Sequence, residues 1–297
     1  MRTLCLGEAL VDLICEHPVP AGEHPDLFRP HFGGATANVC VAAARQGATV
    51  ALAGGVGDDA WGRWLHARLL QEGVELDWFA LLDGVQTPVA FVQVDTHGEP
   101  SFSIYGDGID AAVQAAAPGL PGAVEATDAF SFASNTLVGE HERDVTLSAR
   151  DHALALAKPV VFDPNLRLHR WRSVDEALRT VRACVPGSFV VKCNASEAQL
   201  LTGAPDVEGA AARLLADGAQ HVVITLGAKG AVLRGPQPLD VPGRAAQVVN
   251  TTGAGDAFLG TLLAHLAGGG YDPGVLPQAV TAAVEEGARA TERWGAV

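Results

Sequence analysis

Two hydrophobic periods run through the chain. Short apolar runs bounded by glycine or polar residues, at positions 3–6, 49–53, 129–133, 160–162, 189–192 and 221–225, predict buried strands. Between them apolar residues recur at helical spacing. Leu259, Leu262, Leu263 and Leu266 predict a helix that starts near Ala254, and an Ala/Val-rich segment running towards Gln46 stops at Gly47. Trp61, Leu65 and Leu69 form one stripe between the capping residues Gly57-Asp58-Asp59 and Gly73. Further helices are predicted over 143–157, 174–184, 196–201 and 207–216, so that strand and helix alternate regularly from residue 129 onward. That order favours a parallel sheet covered by helices. Residues 88–95 and 101–105 are β-rich around a turn at 96–99 and read as a hairpin. With the Pro-, His- and charge-rich excursion over 16–30, the hairpin would form a small sheet projecting from the main body. The Ala-rich stretch 111–117 is too short to link independent domains, and no internal repeat is evident.

At 297 residues, one large α/β domain or two small ones would bury a substantial core. A net charge of −14 disfavours nucleic acid and anionic membrane surfaces as partners, while a small anionic nucleotide needs only a locally positive site. The five cysteines lack the short paired spacings of a zinc or redox motif and read as free thiols in a reducing compartment. Glu8 and Asp12 interrupt the N-terminus before a secretory apolar core could form, and no run approaches membrane-spanning length. The expectation is a soluble, cytoplasmic protein.

The candidate chemistry lies where apolar runs end. In Asn250-Thr251-Thr252-Gly253-Ala254-Gly255-Asp256-Ala257-Phe258 an extended segment turns into a helix, and Gly253 and Gly255 let an anion approach unpaired N–H groups. Asp256 falls in the first turn, where it could accept a hydroxyl proton during phosphoryl transfer. A glycine turn followed by a charge-favoured aspartate is the plainer reading of the same residues. Asp12, beyond the first strand, could hydrogen-bond a polyol or simply sit solvated in a loop. Gly33-Gly34-Ala35-Thr36-Ala37-Asn38 allows close backbone approach to a small ligand, with Asn38 one turn into a helix, although a Gly-Gly turn and an exposed Asn would also suffice. Three more polar clusters directly follow apolar runs: Asp163-Pro164-Asn165-Leu166-Arg167, Asn194-Ala195-Ser196-Glu197 and Thr225-Leu226-Gly227-Ala228-Lys229-Gly230. Ligands of open α/β sheets bind beyond the carboxyl ends of strands, so these clusters converge on one rim. Asn194 and Glu197 suit a hard divalent cation, directly or through water, and Thr225, Gly227 and Gly230 suit a nucleotide passing close to backbone.

These residues resemble, in order and over nearly the whole chain, the ribokinase-like, PfkB-type carbohydrate kinases, with the nearest likeness to bacterial fructokinases. The resemblance rests on Gly7-Glu8-Ala9-Leu10-Val11-Asp12, on Gly33 to Asn38 and on Thr251 to Phe258. It implies a three-layer α/β/α sandwich over 1–297 as a single domain, with a mostly parallel central sheet and a β lid formed by roughly 14–32 and 87–106. It implies ATP and Mg²⁺, with Asp256 as base, Gly253, Ala254 and Gly255 as anion hole and Arg167 near the phosphoryl path. Asp12, Gly33, Gly34 and Asn38 would hold the sugar. Asn194, Thr225, Gly227 and Gly230 would serve the nucleotide, and Asn194 with Glu197 the metal. Three departures stand out. Asn250 replaces a usual Asp, which puts in question the K⁺ site that many members carry; Val284 stands where relatives place an Asn near the adenine; and the chain ends sooner than most. The reading is a fructokinase-like transfer of the γ-phosphoryl group to a sugar hydroxyl, by a homodimer paired through the lid. A 2-keto-3-deoxygluconate or nucleoside kinase of the same fold, or a catalytically silent sugar or nucleotide sensor, are the alternatives.

Overall fold

The computed structural model describes residues 1–20, 22–96, 100–106 and 108–297. The first part of the chain forms β1 (Arg2–Leu6), β2 (Leu10–Ile14), β3 (Arg29–Gly33), α1 (Ala35–Arg45), β4 (Thr49–Gly57), α2 (Ala60–Gln71), β5 (Glu75–Leu82), β6 (Val89–Val94) and β7 (Pro100–Tyr105). There follow α3 (Ile109–Ala116), α4 (Leu120–Ala126), β8 (Ala129–Ala133), α5 (Glu140–Ala155), β9 (Val160–Asp163), α6 (Val174–Arg182) and β10 (Val190–Asn194). The last part comprises α7 (Ala195–Thr202), α8 (Val207–Ala216), β11 (His221–Thr225), β12 (Gly230–Arg234), β13 (Leu239–Pro242), α9 (Ala254–Gly268) and α10 (Leu276–Ala290).

A nine-stranded sheet in the order β13-β12-β11-β10-β9-β8-β1-β4-β5 divides the molecule, and only β12 runs against the other strands, pairing antiparallel with both β11 and β13. Side chains alternate between its faces. Cys5, Val161 and Val190 join a core with α1, α2, α9 and α10, whereas Leu4, Leu6, Phe162 and Val191 pack on the opposite side under α4 to α8. Helices therefore cover both faces, as the strand–helix alternation predicts. Asp59 caps α2 by accepting from Gly62 N at 2.8 Å, and Gly47 follows α1 with φ of 83°. All five cysteines are buried free thiols. Among the described residues no helix is long and apolar enough to cross a membrane.

The second sheet is four-stranded, β3-β2-β6-β7. The expected hairpin is its β6-β7 half; of the expected turn, 97–99 lie outside the described residues. Its inner strand β2 differs from expectation. Asp12 is not a strand-end carboxylate of the main sheet but lies mid-strand in the small one, opposite His31. Trp294, near the C-terminus, packs on the apolar cluster of Leu10, Ile14, Ala90 and Val92 and ties this sheet to the body.

Candidate active site

The parallel strands deliver their carboxyl ends to one rim. Asp163 ends β9, Asn194 ends β10, and Thr225 ends β11 in register with Asn194. Above the rim stand the N-termini of α1 and α9 and the mid-strand Asp12. The arrangement thus gathers every cluster singled out along the sequence.

Asp256 lies in the first turn of α9 and is half-buried. Desolvation pushes its carboxyl up to about 6, against the opposing pull of the Asn38 hydrogen bond, Lys192 and Arg167. Asn38 Nδ2 donates to Asp256 Oδ2 at 2.9 Å. This contact needs close helices. A Cβ on Gly260 would stand 2.5 Å from Ala42 Cβ and 2.6 Å from the Val39 carbonyl, so glycine there lets α1 approach α9. Asn38 Oδ1 is buried without a partner among the described residues, which leaves an acceptor for a ligand hydroxyl.

Gly253 caps α9 in the left-handed region, φ 76°, and the C-terminal tail closes over it. By helix geometry the first-turn amides lack intrahelical carbonyls, and here Ala254 N turns back to Thr251 O at 3.3 Å. Gly255 and Asp256 therefore present the first-turn donors free of that turn, and of the three residues expected to form the anion hole, Ala254 is the one whose amide is engaged.

Asp12 is buried, and burial together with the charge of Asp256 pushes its carboxyl up to about 8. Gly33 pairs with Leu10 across β2-β3, and a Cβ there would lie 2.5 Å from Asp12 Oδ1. Gly34 leads into α1 with φ of 87°. The Glu8 carboxylate secures this corner, accepting from Ala35 N and Asn135 Nδ2 at 2.9 Å each. Glu8 and Asn135 buttress this corner of the candidate site; the sequence showed Glu8 within its first motif but gave neither residue a role, because no local pattern joins two side chains so far apart in the chain.

Asn194 and Glu197 form a reciprocal capping box at the start of α7. Asn194 Oδ1 accepts from Glu197 N and Glu197 Oε2 from Asn194 N, both at 2.9 Å, while Glu197 Oε1 accepts from Leu166 N at 2.7 Å. Burial, then the charge of Asp163, raises the Glu197 carboxyl. Each carboxylate oxygen already holds an amide, and no group of three or more His, Cys, Asp or Glu able to hold a metal occurs among the described residues. The donor set fits a magnesium ion carried in on phosphates and reached through water better than direct ligation. Arg167 is exposed, forms no ion pair among the described residues, and lies close enough to favour the charged Asp256. Gly227 and Gly230 have φ of 59° and 100° around the short turn after β11; Gly227 is exposed with open space around it, whereas Gly230 is buried, where a Cβ would stand 2.0 Å from the Val241 carbonyl oxygen. Val284 is buried on α10.

The sequence profile of the pfkB family carbohydrate kinases matches residues 2–296. Fructokinase from Klebsiella pneumoniae is 33% identical over 305 residues, covering 98% of this chain and 94% of that protein. Aminoimidazole riboside kinase from Salmonella typhimurium is 32% identical over 295 residues, with coverage of 98% and 89%. Among solved structures, a fructokinase double mutant from Vibrio cholerae O395 in fructose-, ADP- and potassium-bound form superposes with a TM-score of 0.86 at 31% identity, covering 99% of this chain and 93% of that one. A nearly end-to-end match, with the signature segments brought together on one rim, establishes that this chain belongs to the pfkB family of carbohydrate kinases.

Proposed function

We propose that this sugar kinase transfers the γ-phosphoryl group of MgATP to a hydroxyl of fructose. The observation that carries the reading is Asp256, a carboxylate held by Asn38 at 2.9 Å in the first turn of a helix whose amides face the same cleft. The acceptor oxygen bonds to the γ-phosphorus as the bond to the β–γ bridging oxygen breaks. Its proton passes to Asp256, and ADP leaves. Amides at Gly253, Ala254 and Gly255 receive the charge of the transferring group, chiefly through Gly255 and the adjoining Asp256 amide, and Arg167 steadies it from the opposite loop. Asp12, Gly33, Gly34 and Asn38 hold the sugar. Asn194, Thr225, Gly227 and Gly230 border the nucleotide, and Asn194 with Glu197 orders the metal's water shell. One domain with the small sheet as its lid accounts for this division of roles.

Fructose is favoured by the relatives that act on it and by the lid segments, which carry no basic cluster for a substrate carboxylate. The riboside kinase, nearly as similar over as much of the chain, supports a second reading in which the acceptor is a riboside. ADP release with MgATP across fructose, other ketoses and aldoses, 2-keto-3-deoxygluconate and ribosides tests both. The highest kcat/KM is expected with fructose. A value tenfold higher for a riboside or for 2-keto-3-deoxygluconate would transfer the assignment to that substrate.

Two further expectations belong to this reading. Strand β7 is an edge of the small sheet and exposes Phe102, Ile104 and Tyr105 at 48, 48 and 64% of their surface. Such an edge is suited to pairing with a second copy, giving a homodimer through the lid. Light scattering should give twice the chain mass at micromolar concentration; a monomer would remove the argument. The second concerns K⁺. Asn250 Oδ1 accepts from Thr252 N at 2.9 Å, and its buried Nδ2, a donor, has no partner among the described residues. A neutral amide presenting N–H groups fits a cation poorly. Activation by K⁺ over a large organic cation at fixed ionic strength should therefore be small, and a several-fold increase would show that a site persists.

A further inference from the structure

Lys192 is a buried ammonium for which the reaction just described has no task. It lies on β10 two residues before Asn194, and strand alternation explains where it points. Val190 packs on the α9 side of the sheet, so Lys192 shares that face, and Asp163 shares it by the same argument from Val161 on β9. Lys192 Nζ donates to Asp163 Oδ2 at 2.9 Å, with side-chain exposures of only 7 and 4%. A Cβ built on Gly255 would stand 3.4 Å from Nζ, which puts the ammonium against the first turn of α9. Burial alone would lower its pKa, but the charges of Asp163, Glu197 and Asp256 outweigh burial and raise it. The cation thus sits among carboxylates from β9, α7 and α9.

The fold gives little reason for such a pair. The β9 and β10 backbones are already joined by their ladder, and a buried ion pair is on balance no more stabilising than apolar side chains of the same volume. An ammonium also has three donors, and Asp163 is the one hydrogen-bond partner among the described residues. We propose that Lys192 is a positioning residue for phosphoryl transfer: a fixed cation beneath the first turn of α9, anchored by Asp163, that counters the negative charge gathered where Asp256, Glu197 and the transferring phosphoryl group meet. The proposal rests on the assignment of Asp256 as base. The groups facing Asp256 are Asn38 from α1, Lys192 from β10, Arg167 and Asp163 from β9 and its following loop, and Asp12 from β2. Of the cations among them, only Lys192 is buried.

Lys192→Met, Asp163→Asn and the double variant separate positioning from a merely structural bond. Lys192→Met alone strands a buried carboxylate and should lower the melting temperature. The double variant removes both members of the ion pair and keeps the side-chain volumes, so its melting temperature should return close to that of the wild type. Its kcat should nevertheless stay at least about tenfold low, with KM for fructose and ATP within a few-fold, as for a group acting on the transition state. The acid limb of the kcat/KM profile of Lys192→Met should move upward, because Asp256 has lost a favourable charge while Asp163, which raises its pKa, remains. Recovery of both stability and kcat in the double variant, or an unmoved acid limb, would overturn the proposal. Asp256→Asn run alongside distinguishes the two levels. If it is active, the base assignment falls; if it is inactive while the double variant is fully active, only the role of Lys192 falls.

Discussion

Asp256→Asn lowers kcat by at least about two orders of magnitude and leaves KM for fructose and ATP within a few-fold. The expectation follows from what the substitution keeps. Asn38 Nδ2 donates to Asp256 Oδ2 at 2.9 Å, and an asparagine can still offer an oxygen there, so the helix terminus and the side-chain rotamer are retained. What disappears is the proton acceptor and its charge. General-base catalysis contributes about 10²–10⁴-fold, and a loss felt chiefly in the transition state lowers kcat and kcat/KM together. Removing a carboxyl that burial pushes up to about 6 should also cost no stability near neutral pH. Steady-state kinetics with a melting curve checks all of this. A variant keeping more than about a tenth of wild-type kcat, far above what loss of a general base leaves, would remove Asp256 from the reaction.

Gly253→Ala should cost both activity and stability, and for a different reason. Gly253 has φ of 76°, where a side chain is strained by about 1–2 kcal/mol. The added Cβ would also stand 2.3 Å from Ala296 Cβ and 2.4 Å from Ala296 Cα, so the clash is partly with backbone and cannot be relieved by a rotamer. Either the tail lifts or the start of α9 moves. Displacing the amides that receive the transferring charge should lower kcat by about 10²–10³-fold, the effect of losing one such donor. The melting temperature should fall as well. Gly255→Ala is the control, because its Cβ would meet nothing closer than Lys192 Nζ at 3.4 Å. Equal losses in the two variants would show that the strained cap is not what places the amides.

Much of this was legible along the chain because it is local. The Asn194–Glu197 box is an i, i+3 pattern, Gly253 to Asp256 is a continuous motif, and the clusters after β9, β10 and β11 are set on one rim by strand polarity alone. What was hidden depends on pairing. Strand β2 carries an aspartate amid apolar residues, so period alone could not tell a strand of a second sheet from a loop beyond the first. Strands β12 and β13 are short and glycine- or proline-bounded, and their antiparallel return breaks the alternation that revealed the others. The Ala-rich 111–117 looked like biased composition, yet it overlaps α3, because alanine favours helix without marking a polar face. Lys192 and Asp163 meet only because their strands are neighbours in the sheet. Their common face was implied by alternation, but a lysine followed by a cysteine and an asparagine at a strand end carries no local signal of its partner.

The dependence of kcat/KM for fructose on pH, measured at saturating MgATP from about pH 4.5 to 7, bears most directly on the assignment of Asp256 as the group that takes the proton. A carboxyl whose pKa is raised to about 6 binds its proton more readily in the fold, so the active, ionised base is lost as pH falls through that value. The profile should rise roughly tenfold per unit below about pH 6 and level off above it. Activity independent of pH through that interval would contradict the account.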